Sequence, residues 1–164
     1  MRNLAEENQK PMDILQNINT LNIDPENLPK PGGSYTAVNT RGNIAYVAIQ
    51  FPIKNGQLQH AGRLGDQIST KQGYEAAGFC AKNIIGQIQK FIGFENLEGL
   101  NHLDIYFQNT ENWNDGPTVA NGASDLFKEI LGEAGVHTRT IIGVHSLSKN
   151  SCIAITSSFT LKSK

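Results

Sequence analysis

The apolar residues of this chain switch repeatedly between a period of two and a period near 3.6, and the order of those switches limits its fold more than any single motif does. Residues 35–38 and 43–51 read as two strands, with Arg41-Gly42 supplying the turn between them. The second run is apolar at both parities, so it should be covered on both faces. Ser69-Thr70-Lys71-Gln72 forms a capping box, in which a serine hydroxyl and a glutamine side chain each satisfy a free amide of the first helical turn. It opens a long helix. Ala77, Ala81, Ile84, Ile85, Ile88, Phe91 and Ile92 make its apolar stripe, and Gly93 is placed to end it. Leu103, Ile105 and Phe107 then alternate with Asp104, Tyr106 and Gln108, a strand with one apolar face. Val119, Ala123, Leu126, Phe127, Ile130 and Leu131 define a second helix that stops at Gly132. Strands at 138–146 and 152–161 close the chain around a polar turn at Lys149-Asn150.

The order strand, strand, helix, strand, helix, strand, strand predicts an α+β fold, with two amphipathic helices on one face of a mixed sheet. Val47, Ile49 or their neighbours would leave an apolar patch on the other face, which predicts a closed homo-oligomer. With 164 residues the chain is sized for one domain, 34–164, preceded by an arm over 1–33. That arm is polar and carries Pro11, Pro25, Pro29 and Pro31 ahead of Gly32-Gly33. A short helix over 12–21 fits its pattern, but the segment reads as an arm laid on the domain surface.

A net charge of −1 provides no basic field for phosphates and disfavours nucleic acid as a partner. Cys80 and Cys152 do not make a disulfide framework and read as small buried hydrophobes. Residues 1–20 contain Glu6, Glu7 and Asp13 and lack the continuous apolar run of a secretory signal. No run approaches the length needed to cross a bilayer. The expectation is a soluble protein of the cytoplasm with no membrane partner.

His60, His102, His137 and His145 show no metal-ligand spacing, and the motifs of triad hydrolysis, P-loop chemistry and dinucleotide binding are absent. No metal and no cofactor are expected. Arg139 stands out because it begins a strand otherwise rich in Thr, Ile and Val, sharing a face by alternation with His137, Ile141, Gly143 and His145. A guanidinium there can grip a carboxylate through two parallel hydrogen bonds, or make a structural ion pair at a surface.

Four motifs carry a family resemblance: Pro31-Gly32-Gly33-Ser34-Tyr35, Gly42-Asn43-Ile44-Ala45-Tyr46, Asn121-Gly122-Ala123-Ser124-Asp125-Leu126 and Gly132-Glu133-Ala134-Gly135-Val136-His137-Thr138-Arg139. In order and with compatible gaps, they resemble the RidA/YjgF family (reactive intermediate imine deaminases, endoribonuclease L-PSP-like), in its longer branch with an N-terminal arm. The resemblance implies a chorismate-mutase-like homotrimer that binds a small carboxylate-bearing metabolite between subunits. Deaminating members hydrolyse 2-imino acids or their enamine tautomers to 2-oxo acids and ammonia. It further implies that Arg139 pairs with the substrate carboxylate, that Tyr35 lines the cleft and that Asn121 lies near it.

Three segments depart from the family pattern. The last strand reads Ile153-Ala154-Ile155-Thr156-Ser157 where deaminating members carry two acidic residues, at the positions of Ala154 and Thr156. The first of those acids is associated with positioning the hydrolytic water, so the catalytic group is unknown here. Ser-Gly-Gln becomes Ala48-Ile49-Gln50, which puts the branched side chain of Ile49 where a ligand nears the backbone. Ile141 replaces a cysteine two positions beyond the arginine. The predicted function is metabolite binding with weak, altered or absent imine hydrolysis. The alternative is a non-enzymatic binding or interaction protein with a degenerate cleft. Ribonuclease activity, also attached to the family name, gains little support from the neutral charge and the missing acid–base pair.

Overall fold

The computed structural model describes residues 11–163, with side chains from 14 onward. The first ten residues of the expected arm and the last residue of the expected domain lie outside the described residues. The elements are α1 (Pro11–Thr20), β1 (Val38–Arg41), β2 (Ile44–Gln50), a short hairpin of β3 (Ile53–Lys54) and β4 (Gln57–Leu58), α2 (Thr70–Phe91), β5 (Leu97–Gln108), α3 (Gly116–Leu131), β6 (Thr138–Val144) and β7 (Ile153–Leu161). Five of the strands form one sheet in the order β1-β2-β7-β5-β6. Only β5 and β6 run parallel, and α3 is the crossover between them.

The alternation seen in the sequence decides which side chains meet the helices. Leu103, Ile105 and Phe107 of β5, and Ile153, Ile155 and Phe159 of β7, pack with Ile84, Ile85 and Ile88 of α2 and Phe127 and Ile130 of α3 in one core. Each such side chain contributes about 1.5–3 kcal/mol when fully removed from water. The capping box forms as expected: Gln72 N donates to Ser69 Oγ at 3.2 Å and Ser69 N to Gln72 Oε1 at 2.9 Å. Helices α2 and α3 approach closely at Gly122, where an added Cβ would stand 2.0 Å from the carbonyl oxygen of Tyr74.

The arm is docked on the domain. Ile18 of α1 joins the core, and an added Cβ on Gly86 of α2 would lie 2.4 Å from Leu28 and 2.9 Å from Ile23. Gln87 Nε2 donates to Pro29 O at 2.8 Å and Lys90 Nζ to Pro25 O at 3.0 Å, fixing the path of the segment before β1.

Three expectations are corrected. Residues 35–37 are not a strand: Tyr35 is held in a compact loop, where Gly32 N donates to its hydroxyl at 3.0 Å and its own N to Gly33 O at 2.9 Å. The ladder of β1 begins at Val38, opposite Val47, and the tight turn at Gly42 (φ +58°) sets its register with Arg41 opposite Ile44. Strand β5 starts at Leu97, well before Leu103; irregular register at 97–99 and 100–102 breaks the alternation that would have marked it. Val47 does not belong to the open face of the sheet. It is buried against the helices, and a bulge between Val47 and Gln50 shifts the parity of the residues beyond it. The open face instead carries Tyr46, Tyr106 and Ile142 among His102, Asp104 and the hydroxyls of Thr138, Thr140, Thr156, Ser158 and Thr160.

Candidate functional site

Arg139 lies on the helix side of edge strand β6, beside the first turns of α3. Its Nη1 donates to Asn121 Oδ1 at 2.9 Å and to Ser124 Oγ at 3.0 Å, and its Nη2 to Pro117 O at 3.3 Å. Three of the five N–H donors of the guanidinium are thereby engaged, which sets the plane of the group. Nε–H and one N–H of Nη2 have no partner among the described residues.

Behind the arginine the hydrogen bonds continue inward. Ser124 Oγ is 2.9 Å from His137 Nε2, and His137 Nδ1 is 2.6 Å from Gly135 O. A carbonyl oxygen accepts only, so Nδ1 carries the proton and Nε2 accepts from the Ser124 hydroxyl. Partial burial holds the His137 pKa below its usual value, and the nearby Arg139 and Lys128 charges act in the same direction, outweighing the raising effect of the Gly135 carbonyl. Gly135 itself admits no side chain, because a Cβ would stand 2.3 Å from Phe127 O.

Tyr35 and Ile49 lie elsewhere, in a cleft of about 650 Å³ lined also by Lys30, Gln50, Leu147 and Lys149. Tyr35 is half exposed there, at 51%. Gln50 is 4% exposed; its Nε2 donates to Ala48 O at 3.0 Å and its Oε1 is buried without a partner. The turn carrying Lys149 is pinned by Gln108, itself 3% exposed, whose Nε2 donates to Asn150 Oδ1 at 2.7 Å and whose Oε1 accepts from Leu147 N at 2.8 Å.

The expected site residues therefore fall into two groups within one chain, Arg139 with Asn121 and Tyr35 with Ile49. Strands β7 and β5 stand between β2, which bears Ile49, and β6, which bears Arg139. Three strand spacings amount to roughly 14 Å of sheet, too far for one short ligand to touch both. Asn121 is a hydrogen-bond partner of the arginine. Ser124 went unrecognised in the sequence, although it lies one helical turn beyond Asn121 and so on the same face of α3. That Lys30 and Lys149 line one cleft was not legible in the sequence, because they lie on loops far apart in the chain.

Ala154, at the position of the absent acid, projects to the open side of the sheet yet is 0% exposed. Both cysteines are buried: burial pushes the Cys152 thiol up to about 12 and raises that of Cys80 as well. Among the described residues, no three His, Cys, Asp or Glu side chains gather as a metal site would require. No described helix is long and apolar enough to cross a membrane.

A five-stranded mixed sheet with two helices on one face, an arm docked on the longer helix and a motif-borne arginine at the sheet edge define a YjgF-like α+β protein. Residues 23–159 match the family model described as "YjgF/chorismate mutase-like, putative endoribonuclease", and the chain belongs to that family. Protein TCP17 of Trypanosoma cruzi is 26% identical over 144 residues, 87% of this chain and 90% of that protein. The crystal structure of Atu1372 from Agrobacterium tumefaciens is 25% identical, with a TM-score of 0.83 over 93% of this chain and 94% of that one. That of a "putative endoribonuclease" from Shewanella oneidensis MR-1 is also 25% identical, with a TM-score of 0.85 over 90% of this chain and 99% of its own.

Proposed function

We propose that this protein binds a small carboxylate-bearing metabolite in a cleft completed by a second copy of the chain, within a homotrimer of the cytoplasm. The observation that carries the reading is the split of the site: an oriented arginine with unengaged N–H donors on one edge, and a cleft with Tyr35 and Ile49 across two intervening strands. In a cyclic assembly one copy supplies the first half and its neighbour the second. Arg139 receives the carboxylate, Asn121 and Ser124 keep the guanidinium in plane, and Tyr35 and Ile49 form the opposite wall. The open sheet face, with Tyr46 53% and Ile142 40% exposed, provides surface for the contact between copies. Two buried free thiols accord with a reducing compartment.

The family reaction adds water across the C=N bond of a 2-imino acid and releases ammonia, leaving the 2-oxo acid. This chain is proposed to perform it weakly or in altered form, because Ala154 and Thr156 offer no carboxylate to position the water. Binding without turnover is the second reading, favoured by the full burial of the apolar Ala154. Calorimetry with 2-oxobutyrate tests the binding: Arg139→Ala is expected to lose about 1.5–3 kcal/mol of affinity, the worth of a hydrogen bond to a charged group. Equal affinities in wild type and variant would overturn the reading. Ammonia release from a freshly generated imino acid separates turnover from binding alone.

A further inference from the structure

The cleft of Tyr35 and Ile49 has a charge pattern that one carboxylate bound to Arg139 does not account for. Two lysines line it, Lys30 and Lys149, and no aspartate or glutamate does, in a chain whose net charge is −1. Among the described residues neither ammonium has a carboxylate within ion-pair reach, whereas Lys90, on the far side of the arm, lies 3.9 Å from Glu26.

Both lysines stand on fixed backbone. Lys30 sits between Pro29 and Pro31, and the Pro29 carbonyl is held by the buried Gln87 at 2.8 Å. Lys149 has a φ of +61°, in the left-handed region that residues with a Cβ seldom adopt, and the buried Gln108 holds the residues on either side of it. A charge presented from a pre-ordered backbone loses less freedom on binding than one on a mobile loop. The two positions are 119 residues apart in the chain, 149 minus 30, and both line this one cleft.

We propose that the ligand carries two anionic groups: a short dicarboxylic 2-oxo or 2-imino acid whose first carboxylate goes to Arg139 of a neighbouring copy and whose second lies between Lys30 and Lys149. The inference rests on the inter-subunit reading above, and it narrows the substrate class.

The test compares 2-oxoglutarate with 2-oxovalerate, a ligand of equal carbon count that lacks the second carboxylate, by calorimetry on the full chain. Wild type is expected to bind 2-oxoglutarate about fivefold tighter at low salt, the combined effect of two exposed charge contacts, with the difference shrinking as salt is added. The double variant Lys30→Gln, Lys149→Gln is expected to bring 2-oxoglutarate down to the affinity of 2-oxovalerate, while 2-oxovalerate itself shifts less than about twofold, the size of a rim charge effect. Equal or weaker binding of the dicarboxylate by wild type overturns the dianion proposal and leaves the Arg139 reading standing. So does a preference that survives the double variant. Should Arg139→Ala bind both acids as wild type does, or should wild type bind neither, the inter-subunit reading and the dianion proposal fall together.

Discussion

Ser124 links a permanent cation to an imidazole, and its hydroxyl does two things at once: it accepts from Arg139 and donates to His137. Replacing it by alanine removes both contacts and leaves the partly buried Nε2 of His137 without a donor. Ser124→Ala is expected to cost about 1–3 kcal/mol of stability by urea denaturation. The imidazole also gives a pH signature. Its folded pKa lies below the unfolded value near 6.5, so the unfolded chain takes up the proton first. The contribution of His137 is intact above pH 6.5 and is lost as pH falls toward the folded pKa. Thermal melting between pH 7 and pH 5 should show a steeper decline for wild type than for His137→Asn, which cannot titrate; parallel declines would contradict the assignment. At Ala154 the missing acid can be restored, but a carboxyl placed there enters a buried position and tends to stay protonated. Because Ile49→Gly also clears the branched side chain from the ligand's approach, Ile49→Gly with Ala154→Glu is expected to raise ammonia release above wild type by more than Ala154→Glu alone. An unchanged rate in both variants would mean that another group orients the water.

The helices were the most legible elements, because each carries a full apolar stripe and a distinct start or stop: the Ser69 capping box for α2 and Gly132 after α3. Strands were legible only where alternation ran unbroken. Bulges in β2 and β5 put a polar Gln50 inward and hid the first half of β5, and nothing in the spacing of apolar residues announces a bulge. In the arm, the contacts that dock it were not legible in the sequence. Helix α1 is short and polar enough to read as surface, and it is Ile18 and the clearance at Gly86 that dock this segment. Of the candidate site, Arg139 and its motif partners could be read from the chain, whereas the lysine-lined cleft depends on loops far apart in sequence. Gly122 lies where both helices need it. A methyl there would meet the Tyr74 carbonyl at 2.0 Å, and backbone cannot step aside as a flexible side chain can. Gly122→Ala should lower stability by about 1–3 kcal/mol, the range for overpacking, visible as a lower urea midpoint; an unchanged midpoint would mean that α2 and α3 slide apart without cost.

At the level of the whole molecule, the open sheet face is a mosaic of aromatic, aliphatic and hydroxyl groups rather than the continuous apolar surface expected from Val47 and Ile49. Such a face suits a contact that is partly polar. Light scattering at micromolar concentration is expected to give the mass of three chains, and Tyr46→Asp with Ile142→Asp to give one of about 18 kDa, the chain's own 17.9 kDa. A wild-type monomer would remove the second half of every cleft. The distance between Arg139 and Tyr35 across the sheet also has a genetic meaning. On the proposed inter-subunit site, a chain defective only at the arginine and a chain defective only in the cleft would each be silent as pure assemblies, yet neither defect need be recessive or dominant in the ordinary sense. In the trimer proposed above, co-expressed chains would assort into mixed rings, and around any such ring there would be one junction at which the sound arginine of one parent faces the sound cleft of the other. Two inactive alleles would thus complement within a single gene, each ring regaining one binding place out of three.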